Sequence, residues 1–159
     1  MRMPVNVALW LQFKLYLVTL DGYCPESFIH SKPGGLDGDS NFLWMLAVDT
    51  IYRCLKCNLV DVWNEQWMAE KDIKNSLGLV DALRDNPPPG INDFAENSSA
   101  YWLEPLIFGT SLCKILIEKH DIKKYEGDIL CEPFIKEIED LFESNGVGWS
   151  GDFLFSKDY

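Results

Sequence analysis

The chain has 159 residues, 25 acidic and 14 basic, with a formal net charge of −11 and 47% hydrophobic content. One domain spanning residues 1–159 fits that length, and six Trp, six Tyr and nine Phe exclude the disordered acidic class, which lacks material for a core. The negative field disfavours nucleic acid and anionic lipid as partners and favours encounter with basic proteins.

Residues 5–20 carry two patterns at once. Every odd position from Val5 to Leu17 is apolar, as in a strand. Val5, Ala8, Leu9, Phe13, Tyr16, Leu17 and Leu20 also mark a helical face, with Pro4 at its start and Asp21-Gly22 at its end. The length exceeds a strand of about 5–6 residues, which favours helix. Residues 21–39 hold Pro25, Pro33, Gly34, Gly35 and Gly38 and read as a loop.

A helix capped by Asp39 or Ser40 follows, with the stripe Leu43, Leu46, Ala47, Ile51, Cys54, Leu55, Leu59 and Val62. Trp63 and Trp67 stand at i, i+4 spacing, and a further helix is predicted from about Glu70 to Arg84, burying Ile73, Leu77, Val80 and Leu83. The run Asp85-Asn86-Pro87-Pro88-Pro89-Gly90 ends it. Asn92 or Asp93 is expected to cap one short turn. Ser98 or Ser99 opens a segment with Pro105 in its first turn. The stripe Leu106, Phe108, Leu112, Ile115, Leu116 and Ile117 predicts a largely buried helix to about His120. Pro133 opens the last helix, with Phe134, Ile135, Ile138, Leu141 and Phe142 inward and Asn145-Gly146 at its close. The tail from Gly148 to Lys157 alternates weakly, as a short edge strand would. The fold class expected is mainly α: an irregular domain of five or six helices without a heptad repeat.

Five Cys at irregular spacing do not form a disulfide framework, and they suit a reduced, cytoplasmic setting. Residues 5–20 are broken by Gln12 and Lys14, and no small-x-small site follows, so neither a secretory leader nor a membrane span is expected. Cys54-Leu55-Lys56-Cys57 lacks a second ligand pair for zinc and lies on an apolar helix face, so packing is its expected role. Asp37-Gly38-Asp39-Ser40-Asn41 has calcium-loop spacing, but Phe42 and Val48 stand where the turn glycine and bidentate Glu are needed. Neither a metal nor a cofactor is therefore expected.

His30 and His120 are the two His. His120 could meet Cys113 at i, i+7, although a His at a helix C-terminus already has a reason to be there in the dipole. Glu137, Glu139 and Asp140 read as the solvated side of a helix.

Charge is uneven. Residues 1–35 carry three basic and two acidic groups, residues 36–104 five and twelve, and residues 105–159 six and eleven. The central acidic segment also contains Trp63 and Trp67 beside Asp61, Glu65 and Glu70. Trp is commonly a core residue, but it is also enriched at binding hot spots. Asp61, Trp63, Glu65, Trp67 and Glu70 are accordingly the expected partner-binding residues.

In overall character, the chain resembles the immunity proteins of bacterial polymorphic toxins, including those of contact-dependent growth-inhibition systems. The likeness rests on the acidic 36–104 segment, the Trp63-Asn-Glu-Gln-Trp67 stretch and the missing catalytic signature. It implies a non-enzymatic protein that neutralises a basic toxin domain, typically a nuclease, by covering its active site or substrate path. Two alternatives follow from the residues: a small enzyme using carboxylates and His120 in a cleft, and an adaptor or structural interaction subunit.

Overall fold

The computed structural model describes residues 1–30, 36, 39–88, 98–125 and 128–154. Among them are seven α-helices and two strands: α1 Val5–Leu20, α2 Ser40–Lys56, β1 Val60–Trp63, α3 Glu65–Glu70, α4 Ser76–Asp85, α5 Ser98–Leu103, β2 Leu106–Gly109, α6 Ser111–Lys119 and α7 Glu132–Ser144. The fold is mainly α, as expected, with seven helices rather than five or six. Short 3-10 turns cover Pro25–Phe28 and Ile122–Lys124. No strand forms among residues 148–154, so the described part of the tail corrects the edge-strand expectation. The turn expected at Asn92 or Asp93 lies outside the described residues.

Residues 5–20 are helical throughout. Their mixed pattern has a physical cause: α1 packs against β2, α6 and α7 and is buried on several sides, so no single polar stripe marks its period. Gly109 lets β2 lie directly on α1; a Cβ there would stand 2.9 Å from Thr19 Cγ2 and 3.1 Å from the Val18 carbonyl. The buried Gln12 spans to the segment before α7, donating to Ile129 O (2.9 Å) and accepting from Cys131 N (2.8 Å).

Helix starts follow the side-chain caps. Asp39, Asn64, Asn75 and Thr110 accept from Phe42, Trp67, Gly78 and Cys113 N–H respectively. Two ends depart from expectation, at Asn58 and Asp72, while α6 ends at Lys119, close to the expected His120. Asn58 (φ 56°), Asp72 (φ 55°) and Asp121 (φ 50°) adopt the left-handed conformation that small polar residues tolerate. Asn58 stops α2, so Leu59 is buried in the connection and Val62 in β1 rather than on a helix. Asp72 lies between α3 and α4, so the helix predicted from about Glu70 to Arg84 begins only at Ser76; Asn75 starts it in a register that buries Leu79, Val80 and Leu83 and exposes Leu77. The predicted Leu106–His120 helix is instead β2 followed by α6, with Ile115 exposed.

β1 and β2 pair antiparallel, Val60 with Gly109 and Trp63 with Leu106. Tyr23 bridges Ile107 on the other side of β2. The core is stitched by tryptophans whose indole N–H groups donate to distant carbonyls: Trp10 to His30 O (2.8 Å), Trp44 to Leu83 O (3.0 Å) and Trp102 to Asn86 O (2.6 Å). Glu139, read from the sequence as solvated, is buried; it accepts from the Arg2 and Met3 N–H groups at 2.7 and 2.6 Å and fixes the start of the chain on α7.

Lys14 is only 4% exposed. Loss of water lowers its pKa from the ordinary 10.5 to about 8, against a smaller opposing pull from Glu26. The unfolded chain therefore holds this proton more tightly, and the folded state carries the full penalty at every pH below about 8. As pH rises from about 8 to 10.5 the penalty disappears. Lys14→Met should stabilise the fold at pH 7 by about 1–3 kcal/mol, and that advantage should shrink through the same window. Urea titrations of both proteins at pH 7 and pH 10 check this; a variant less stable than wild type at pH 7 contradicts it.

Candidate functional site

The two-stranded sheet positions the most exposed aromatic side chain described. β1 alternates Val60 in, Asp61 out, Val62 in, Trp63 out. β2 buries Ile107 and Gly109 and turns Leu106 and Phe108 outward. Register places Trp63 opposite Leu106 and Asp61 opposite Phe108, so these four residues share one face. Trp63 is 66% exposed there. Trp63, Leu106 and Phe108 line a cleft of about 350 Å³ with Asp21 and Gly22.

Asn64, immediately after Trp63, has φ 123° and ψ 73°, a strained backbone for a residue with a side chain. Its side chain caps α3 at the same time, through Trp67 N at 3.0 Å. This sharp corner separates the two tryptophans. Trp63 ends on the sheet face, whereas Trp67 is only 5% exposed. The Trp67 indole donates to Glu104 Oε2 at 2.6 Å, and its ring meets Tyr101 edge-on at 6.0 Å. Of the two tryptophans named as expected partner-binding residues, Trp63 is on the surface, and Trp67 is corrected to a core residue.

The carboxylates are also sorted. Asp61 is exposed, and its Oδ1 accepts from Val62 N (2.8 Å) and Ser76 Oγ (2.6 Å). Its side chain therefore occupies a backbone donor at the edge of β1. Glu65 and Glu70 are exposed at the two ends of α3, and Glu70 accepts from Gln66 Nε2 at 3.1 Å. Five positions of helix put them about 140° apart around its axis, so one flat contact cannot take both. Asp21 and Glu104, both exposed, add charge near the sheet. The sequence reading missed Asp21, Gly22, Leu106 and Phe108. The signal was present in Pro105 before an alternating Leu-Ile-Phe-Gly run and in Thr110-Ser111 as a fresh helix start.

The alternative chemical centre does not assemble as drawn from the sequence. His120 Nε2 lies 2.6 Å from Glu137 Oε2, and Lys119 Nζ lies 2.9 Å from Glu137 Oε1. The hydrogen bond from His120, then that from Lys119, holds the Glu137 carboxyl below its ordinary pKa. Cys113 Sγ is turned away, donating to Leu15 O at 3.7 Å, and burial pushes its thiol up to about 12. Cys54 and Cys57 are likewise buried free thiols. Burial raises Cys54 well above its usual value and Cys57 to about 11, so neither is a ready thiolate near neutral pH.

Among the described residues, no group of three or more His, Cys, Asp or Glu is placed to hold a metal ion. No described helix is long and apolar enough to cross a membrane. Comparison with protein-family models, with characterised proteins and with solved structures found no match.

Proposed function

We propose that this protein is a non-enzymatic inhibitor that binds and neutralises a basic protein, in the manner of an immunity protein. The partner would be a cognate toxin domain, by its charge a nuclease, met in the cytoplasm and blocked over its active site or substrate path. The observation that carries this reading is Trp63: two-thirds exposed, on an apolar sheet face rimmed by carboxylates, in a chain of net charge −11. An exposed aromatic amid polar groups is the composition of a binding hot spot. The acidic field supplies fast encounter with a protein built to hold phosphate. The enzymatic alternative is less well supported, because His120 is tied to Glu137 and Cys113 Sγ is turned to Leu15 O.

The experiment is co-expression with a toxin-like domain encoded beside this protein's own gene. Growth should be restored, and a stoichiometric complex should form. Absence of both overturns the proposal.

A charge test refines the face. Exchanging Asp61, Glu65 and Glu70 for Lys should slow association at low salt by about tenfold or more and flatten its salt dependence. Circular dichroism must show a native fold, since Asp61 also bonds Ser76. Unaltered association kinetics in a folded variant would exclude this face.

A further inference from the structure

The cleft beside Trp63 has a chemistry more specific than an apolar anchor. Its walls are the Trp63 and Phe108 rings with Leu106 between them, and Asp21 stands at its border. The Asp21 carboxylate is exposed and takes the Gly22 N–H on Oδ1 at 2.8 Å, which leaves its second oxygen for a ligand. Gly22 keeps the neighbouring wall thin: a Cβ there would stand 3.3 Å from Leu106 Cβ. Asp61, across the ladder from Phe108, adds a second negative charge to the rim.

Aromatic faces attract a cation placed over them, and a carboxylate oxygen at the edge adds a charge-assisted hydrogen bond. A purely apolar side chain would strip water from Asp21 without replacing it. A lysine supplies only a compact, strongly hydrated point charge, whereas a guanidinium stacks on a ring and pairs with a carboxylate at once. Strand addition along β1 is disfavoured by Asp61, which occupies the Val62 N–H.

We propose that this cleft is an arginine pocket, in which an Arg side chain of the basic partner lies against Trp63 and Phe108 with its guanidinium paired to Asp21. The assignment rests on the inhibitor reading of this face and names the residue type on the partner that the face selects.

The test uses the whole protein with ¹⁵N-labelled indoles, the Trp63 signal being assigned with Trp63→Phe. Hexa-arginine and hexa-lysine are titrated at physiological salt. Hexa-arginine should shift the Trp63 resonance, and hexa-lysine should bind about fivefold or more weakly, the scale of one cation–π contact. Asp21→Asn should weaken hexa-arginine about fivefold or more. Asp128→Asn, an equal charge change at an exposed residue that does not line the cleft, should change it less than about twofold. Equal binding of the two peptides, equal effects of the two Asn variants, or no movement of the Trp63 signal would overturn the pocket. The toxin experiment separates the two ideas. A partner that binds normally to Asp21→Asn and to a folded Trp63→Ala removes the pocket and leaves the inhibitor. Arginine selectivity without any toxin complex removes the inhibitor instead.

Discussion

Arg53→Ala is expected to lower folding stability by about 3–5 kcal/mol, the cost of stranding a buried charge. Asp49 and Arg53 stand one turn apart on α2, both with side chains 1% exposed. Arg53 Nη2 and Nε donate to Asp49 Oδ2 at 2.9 and 3.2 Å. Arg53 Nη1 donates to the Val147 carbonyl and to Gly148 O, and the guanidinium lies over the Trp149 ring at 5.2 Å. Asp49 Oδ1 accepts from Leu154 N at 2.8 Å. The pair therefore organises the segment after α7 as well as α2. Trp149 Nε1 is buried without a hydrogen-bond partner among the described residues. At roughly 2–4 °C per kcal/mol for a chain of this size, the melting temperature should fall by about 10 °C. Hydrogen exchange at the Leu154 amide should accelerate with it. The double variant Asp49→Leu/Arg53→Met should recover much of the loss, because it removes both charges together. A loss below about 1 kcal/mol for Arg53→Ala would show that the pair is hydrated in solution.

The two tryptophans should respond in opposite ways. Trp67→Ala removes a ring packed in the core, so it should destabilise the fold by about 3–5 kcal/mol. Trp63→Ala removes a ring standing mostly in solvent, and stability should change by less than about 1 kcal/mol. Partner affinity should show the reverse order: Trp63→Ala should cost about 2 kcal/mol or more, expressed as faster dissociation. Urea unfolding and surface-binding kinetics on the same two variants read both quantities. A Trp63→Ala protein that unfolds early, or that binds the partner with wild-type dissociation, would remove Trp63 from the interface.

Much of the architecture was legible before any coordinates. Asp39, Pro133, Asn145 and Gly146 mark helix ends by local chemistry that tertiary packing does not override. The inward positions of α7 follow its period except Leu141, which is half-buried. The charge imbalance and the missing reactive motifs are properties of the chain itself, and the proposal of a basic partner starts from them.

What the sequence withheld lies where a local pattern serves two structures. Leu106 to Gly109 reads equally as one turn of an apolar helix or as a short strand, and only pairing with Val60–Trp63 decides between them. Asn58 and Asp72 are ordinary helix residues until a left-handed φ makes them stops. Trp63 and Trp67 have similar local chemistry, and the strained corner at Asn64 sends one outward and the other into the core. The Asp49–Arg53 pair looks like a surface i, i+4 contact until the tail closes over it. Composition, caps and charge are carried by residues one at a time or by near neighbours, so the chain alone determines them. Strand pairing, burial of polar groups and the grouping of Asp21 with Phe108 need residues about ninety positions apart to meet, and the packing of the whole core decides them.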